Sequence, residues 1–187
     1  MDEAGYELSA NYMKGLVNSV RSAGMLEGIL VGLPTDLRSA YLRPPLQPWW
    51  DAKFAEQLVV AVDSQFGERA VEEVGYGVVV DAIGPIASPQ IQSMLSAGAT
   101  TETFFAQIEQ FIALAVRPVT AHWTLKGPDQ GTLEILYPRP VLKQIPILWR
   151  GAIRYVFEIT RAQGKIEREQ QPKPGHLIYE VSWTRAA

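Results

Sequence analysis

The sequence predicts an α+β fold in which an N-terminal helical layer packs on a four-stranded, mainly antiparallel sheet of ββαββ order. Changes of hydrophobic period along the chain carry this. Up to Arg117 the apolar residues recur at the three-to-four-residue spacing of a helix face. Beyond Pro118 the period falls to two, with Val119, Ala121, Trp123 and Leu125 alternating against Thr120, His122, Thr124 and Lys126. One long helical pattern then separates two pairs of strands.

In chain order, Leu8, Tyr12, Leu16 and Val20 draw one stripe along a helix from Leu8 to Ala23. Met25 to Leu33 reads as a short helix, and Gly24, Gly28 and Gly32 give the segment a small-residue face for close packing. Thr35 begins another, which must stop before Pro44 and Pro45. Pro48 sits in the first turn of a helix running through Trp50, Phe54, Leu58 and Val62 to Phe66, closed by Gly67. Glu68 to Ile83 turns from amphipathic to almost wholly apolar, which predicts a buried second half. Ser88 and Pro89 open a short helix to Ala97. Thr100 or Thr101 caps a helix from Glu102 to Val116 that carries Phe104, Phe105, Ile108, Phe111, Ile112 and Ala115.

The turn Gly127-Pro128-Asp129-Gln130-Gly131 joins the first strand to a second holding Leu133, Ile135 and Tyr137, and Pro138-Arg139-Pro140 ends the hairpin. A helix from Pro146 through Leu148, Ala152, Tyr155 and Ile159 closes at Gly164. Strands Lys165 to Gln170 and Leu177 to Trp183 follow, joined by Pro172-Lys173-Pro174-Gly175. The alternation puts Trp123, Ile135, Tyr179, Val181 and Trp183 on the covered face. Residues 1–187 read as one domain, with a mainly helical part over 1–117 and a ββαββ part over 118–187. A sheet with one helix behind it needs further cover, and the earlier helices supply it.

Composition removes several classes of function. The chain has 187 residues, 47% of them hydrophobic and 20% charged, a mix that buries a core. With no cysteine there is no disulfide, thiolate zinc site, iron–sulfur ligation or thiol nucleophile. A net charge of −3 gives no long-range attraction for phosphate backbones, so nucleic acid is not an expected partner. No apolar run reaches the roughly 18 residues of a membrane span, and Met1-Asp2-Glu3-Ala4-Gly5 lacks a signal-peptide pattern. A cytoplasmic location is expected.

Thr101-Glu102-Thr103-Phe104-Phe105, Ala121-His122-Trp123, Gly131-Thr132-Leu133-Glu134-Ile135, Trp149-Arg150-Gly151-Ala152 and Tyr179-Glu180-Val181-Ser182-Trp183 together carry a resemblance. The pattern resembles the superfamily of 4-vinyl-reductase-type and haem-nitric-oxide-binding-type domains, and more nearly a myxobacterial, hence bacterial, paralogous family of similar length and unknown function. The resemblance implies a cavity between helical layer and sheet, used in relatives for haem or small apolar molecules. Three departures stop the chemistry from carrying over. The axial histidine on a helix and the Tyr-x-Ser-x-Arg propionate anchor of haem-binding relatives do not occur here, nor does the cysteine cluster of the reductase-type domains.

Among candidate sites, His122 and His176 occupy the more polar strand positions and would need Glu134 or Glu180 to hold a metal. They read as solvated strand histidines. No Gly-x-Ser-x-Gly elbow exists for a serine triad. Glu72 and Glu73 are helix neighbours that point apart, and Asp81, inside Val78-Val79-Val80-Asp81-Ala82-Ile83, must be paired, capped, exposed or raised in pKa. Gly75-x-Gly77 fits no nucleotide fingerprint. Arg150, Arg154, Glu158 and Arg161 form a charged stripe, read as a solvated face with weak pairing along the helix. Trp49 and Trp50 cannot share one helix face, so one belongs at a surface.

The aromatic surplus either fills core, lines a pocket or forms an interface. The expected function is a non-enzymatic sensory or interaction domain, with neither cofactor nor metal, binding a small apolar molecule or a protein partner. The residues expected to line the ligand are Tyr76, Phe104, Phe105, Phe111, Trp123, Tyr155 and Tyr179. The alternative is a structural or interaction subunit, a homodimer without ligand. A third reading places an acid/base site near Asp81 or the histidines.

Overall fold

The computed structural model describes residues 5–43 and 47–185, so the expected helix stop at Pro44 and Pro45 lies outside the described residues. The chain begins with a strand, β1 (Glu7–Ser9), and a helix, α1 (Ala10–Ser22). Ser9 caps that helix by accepting from the Tyr12 amide. Two short helices follow, α2 (Leu26–Val31) and α3 (Thr35–Leu42). The expected helix from Pro48 is corrected at its start. Trp49–Asp51 is a strand, β2, and the helix α4 runs over Lys53–Phe66, ending at Gly67 with φ 81°. Trp50 pairs with Leu8 across β1 and is buried, while Trp49, pointing to the other side of the strand, lies under the Arg117 guanidinium at 4.0 Å.

Helix α5 (Glu68–Val78) passes through a π-turn (Val79–Ile83) into α6 (Gly84–Ser96), in place of the expected break before Ser88. The extra residue of the π-turn rotates its neighbours off the buried face. Val78 is buried, yet Val80 and Asp81 are exposed, so the apolar run is not uniformly interior. Thr100 caps α7 (Thr101–Ala106) in a capping box with Thr103, and the expected single helix is split at Gln107 from α8 (Ile108–Ala113). Val116–Arg117 forms β3, completing a small sheet of order β2-β1-β3.

The larger sheet is antiparallel, of order β4-β5-β7-β6, from β4 (Thr120–Gly127), β5 (Gln130–Leu136), β6 (Ala162–Lys173) and β7 (His176–Arg185). Helix α9 (Gln144–Ile159) joins the hairpins, giving the ββαββ order. The register is as expected: Ile135, Tyr179, Val181 and Trp183 are buried and Trp123 half-buried on one face. Helix closure is corrected, because Arg161 takes the left-handed position at φ 54° and Gly164 lies in β6, where a side chain would strike the Phe157 ring.

Helix α9 lies between the sheet and α5. A Cβ at Gly75 would meet the Leu148 backbone, and one at Gly151 would meet the Glu72 carbonyl and the Tyr76 amide, so both glycines are needed for this close crossing. The charged stripe pairs across the crossing rather than along its own helix. Arg150 bonds Glu68 and Glu169, Arg154 bonds Glu72 and Glu73, and Glu158 accepts from the Tyr76 hydroxyl.

Candidate functional site

Where the small sheet, α1, α5, α8 and α9 converge, their side chains leave a partly open cavity of about 60 Å³. Leu8, Val78, Ile112, Ala115, Val116 and Leu148 form apolar walls. Tyr6, Tyr12, Tyr137 and Trp149 bring the polar atoms.

Tyr6 donates its hydroxyl hydrogen to Glu56 at 2.9 Å. The Glu56 carboxylate also takes two hydrogen bonds from one Arg139 nitrogen, each 2.9 Å, and the Arg139 guanidinium lies 4.9 Å from the centre of the Tyr6 ring. Glu56 is buried, and a buried carboxylate held this way is neutralised rather than left as an isolated ion. The Tyr137 oxygen accepts from Trp149 Nε1 at 2.9 Å. The Tyr12 and Tyr137 hydroxyl hydrogens have no acceptor among the described residues. Desolvation pushes the Tyr12 pKa up to about 12 and raises that of Tyr137 further, with Tyr12 itself adding to the rise at Tyr137. Both side chains nonetheless keep accessible surface.

The expected ligand-lining residues lie elsewhere, and none of the seven touches this cavity. Phe105 is fully buried in a closed stack, 4.6 Å from Trp123 and near Phe157 and Trp183. Phe104 and Phe111 are core. Tyr179 is buried with its hydroxyl on the Pro146 carbonyl. Tyr76 meets Tyr155 edge-on at 5.8 Å and lies in the Arg154–Glu158 cluster, where burial and Glu158 push its pKa up to about 12. From the Glu102–Val116 segment only Ile112, Ala115 and Val116 reach the cavity. Nothing in the sequence pattern singles out Tyr6, Glu56 or Arg139, and Tyr12 is indistinguishable there from the rest of its helix stripe.

The histidines lie away from the cavity as well. His122 is exposed on β4, and His176 contacts Glu134 at 3.3 Å. Among the described residues no group of three or more His, Cys, Asp or Glu could hold a metal ion, and no helix is long and apolar enough to cross a membrane.

This architecture, helices packed on an antiparallel ββαββ sheet with a small second sheet beside them, is the fold of the H-NOX domains. A Fe(II) unliganded H-NOX protein from K. algicida superposes with a TM-score of 0.70 at 11% identity, covering 95% of this chain and 97% of its own. An oxygen-binding H-NOX domain related to soluble guanylate cyclases gives 0.62 at 14%, covering 91% and 92%. A mutant of T. Tengcongensis H-NOX gives 0.66 at 12%, covering 95% and 98%. No family model and no curated protein matches the sequence. At these identities the likeness is one of fold.

Haem, the group this fold implies, does not fit the cavity. Its volume is below the roughly 150 Å³ of an engineered cavity that accepts benzene and far below the roughly 300 to 1,000 Å³ of drug-sized sites. Among the described residues no histidine, methionine or cysteine lines it. Tyrosine can ligate haem iron, but Tyr6 is committed to Glu56 and the raised pKa of Tyr12 and Tyr137 opposes the phenolate. Arg139, the cation beside Tyr6, is taken by Glu56.

Proposed function

We propose that this chain is a non-enzymatic sensory domain that takes a small, predominantly apolar molecule, without haem, into the cavity between its helices and the sheet-bearing half. The observation that supports this most is a small cavity bordered by three tyrosines and apolar walls in a fold of H-NOX type. The lining comes from both halves of the chain, from Tyr6 and Tyr12 to Tyr137 and Trp149, so occupancy would bias how they pack. The links to 4-vinyl-reductase-type domains and to myxobacterial paralogues contribute no residue to this reading.

The test measures thermal unfolding of the whole chain under xenon or with isobutene, and absorbance after incubation with haemin. A ligand that binds only the folded state raises Tm with concentration. The expected result is a dose-dependent rise with the small probes, its loss in Ala152→Leu, and no Soret band. No rise with either probe would favour a ligand-free interaction subunit, which sedimentation would show as a dimer.

A further inference from the structure

We infer that the cavity selects a small uncharged molecule bearing one hydrogen-bond acceptor, a short ketone or aldehyde in shape, bound by the hydroxyls of Tyr12 and Tyr137. This rests on the ligand-binding reading above and names the chemistry of the ligand.

The hydroxyl hydrogens decide that chemistry. Three tyrosines border the cavity. The hydrogen of Tyr6 goes to Glu56. The Tyr137 oxygen already accepts from Trp149, which leaves its own hydrogen to be donated. Tyr12 borders the same cavity as Tyr137, and its hydroxyl has no acceptor among the described residues. Two donors therefore border one small space whose other walls are apolar. A hydroxyl left unpaired among apolar walls costs free energy, and a carbonyl oxygen, with two lone pairs, satisfies two donors at once.

Charge is selected against from two sides. An anion would need a cation, and Arg139 already gives two hydrogen bonds to Glu56. A cation would need a carboxylate, and Glu56 is taken by Arg139 and Tyr6. Size is limited by the 60 Å³ of space, enough for a few heavy atoms. The hydroxyls give direction as well, since the acceptor end must point at Tyr12 and the alkyl end at Ile112 and Leu148.

Acetone and isobutene separate the two levels of the proposal, because they share a shape and differ in the acceptor. Both are titrated into methyl-labelled whole chain, wild type, Tyr12→Phe and Tyr137→Phe, following the methyl resonances of Leu8, Val78, Ile112 and Leu148. Both probes should shift these methyls in the wild type. Tyr12→Phe should weaken acetone about three- to tenfold, the span of one net hydrogen bond, and leave isobutene within about twofold; Tyr137→Phe should act in the same direction. An acetone-to-isobutene affinity ratio unchanged in Tyr12→Phe overturns the acceptor proposal while leaving a ligand site in place. Failure of both probes to shift the cavity methyls, including the case of a cavity filled by tightly held water, overturns the ligand-binding reading and the acceptor proposal with it.

Discussion

Two aromatic clusters of this molecule meet opposite fates. On the sheet, Phe105 stacks on Trp123 at 4.6 Å and 15°, with Phe157 and Trp183 around them, and the rings close the space between helix and strand. At the junction of the two halves, Tyr6, Tyr137 and Trp149 also meet, Tyr6 edge-on to Tyr137 at 5.1 Å, yet a void remains. Rings whose only interest is contact are free to settle into stacked or edge-on packing that fills the space. Rings whose hydroxyls must reach Glu56 or Trp149 Nε1 are held by those bonds, and their position is not free to close the gap.

That contrast is open to direct attack. The largest effect is expected from Phe105→Ala, which removes the centre of the closed stack and should cost about 3 to 5 kcal/mol of stability by chemical denaturation. A loss below about 1 kcal/mol would mean the stack is not solid. Gly151→Ala, which drives a methyl into the α5 backbone at the Glu72 carbonyl, should cost about 1 to 3 kcal/mol. A pair of enlargements compares the regions most sharply. Ala121→Leu, on the closed face, should cost about 1 to 3 kcal/mol, while Ala152→Leu, entering the cavity, should change stability by less than about 1 kcal/mol and abolish probe uptake. Equal losses at the two positions would remove the distinction between them.

The smallest effect concerns pH. The Arg154 guanidinium bonded to Glu73 holds that carboxyl below its ordinary value of 4.5. A depressed folded pKa contributes stability that is present above the ordinary value and is lost as pH falls through the folded one. Half-exposed as the pair is, this amounts to a few tenths of a kcal/mol. Comparing wild type with Glu73→Gln between pH 7 and pH 3 should show the variant's deficit shrinking on acidification.

The ββαββ half was legible because its signals are local. Leu133, Ile135, Tyr179, Val181 and Trp183 alternate along their own strands, and a turn marks each hairpin. The small sheet was not legible, since Glu7–Ser9, Trp49–Asp51 and Val116–Arg117 are two or three residues long and show no period. Trp50 therefore read as the start of a helix. The cavity was hidden for a related reason. Tyr6, Tyr12, Glu56, Tyr137 and Arg139 come from segments far apart in sequence, and a lone tyrosine in the Leu8, Tyr12, Leu16, Val20 stripe carries the same periodic signal as any core residue. The surplus of aromatics was visible, but periodicity records burial and cannot tell a ring that fills space from one that borders it.

The placement of Trp149 has an optical consequence. Of the five tryptophans, Trp149 alone borders the cavity, and its indole nitrogen is bonded to the Tyr137 oxygen there. Trp123 and Trp183 sit in the closed stack, and Trp49 and Trp50 in the small sheet. A molecule entering the cavity changes the polarity and contacts of one indole and leaves four others as an internal reference. The chain thus carries its own fluorophore at the site, and a heavy-atom or brominated occupant would quench that emission selectively, reading occupancy without a label.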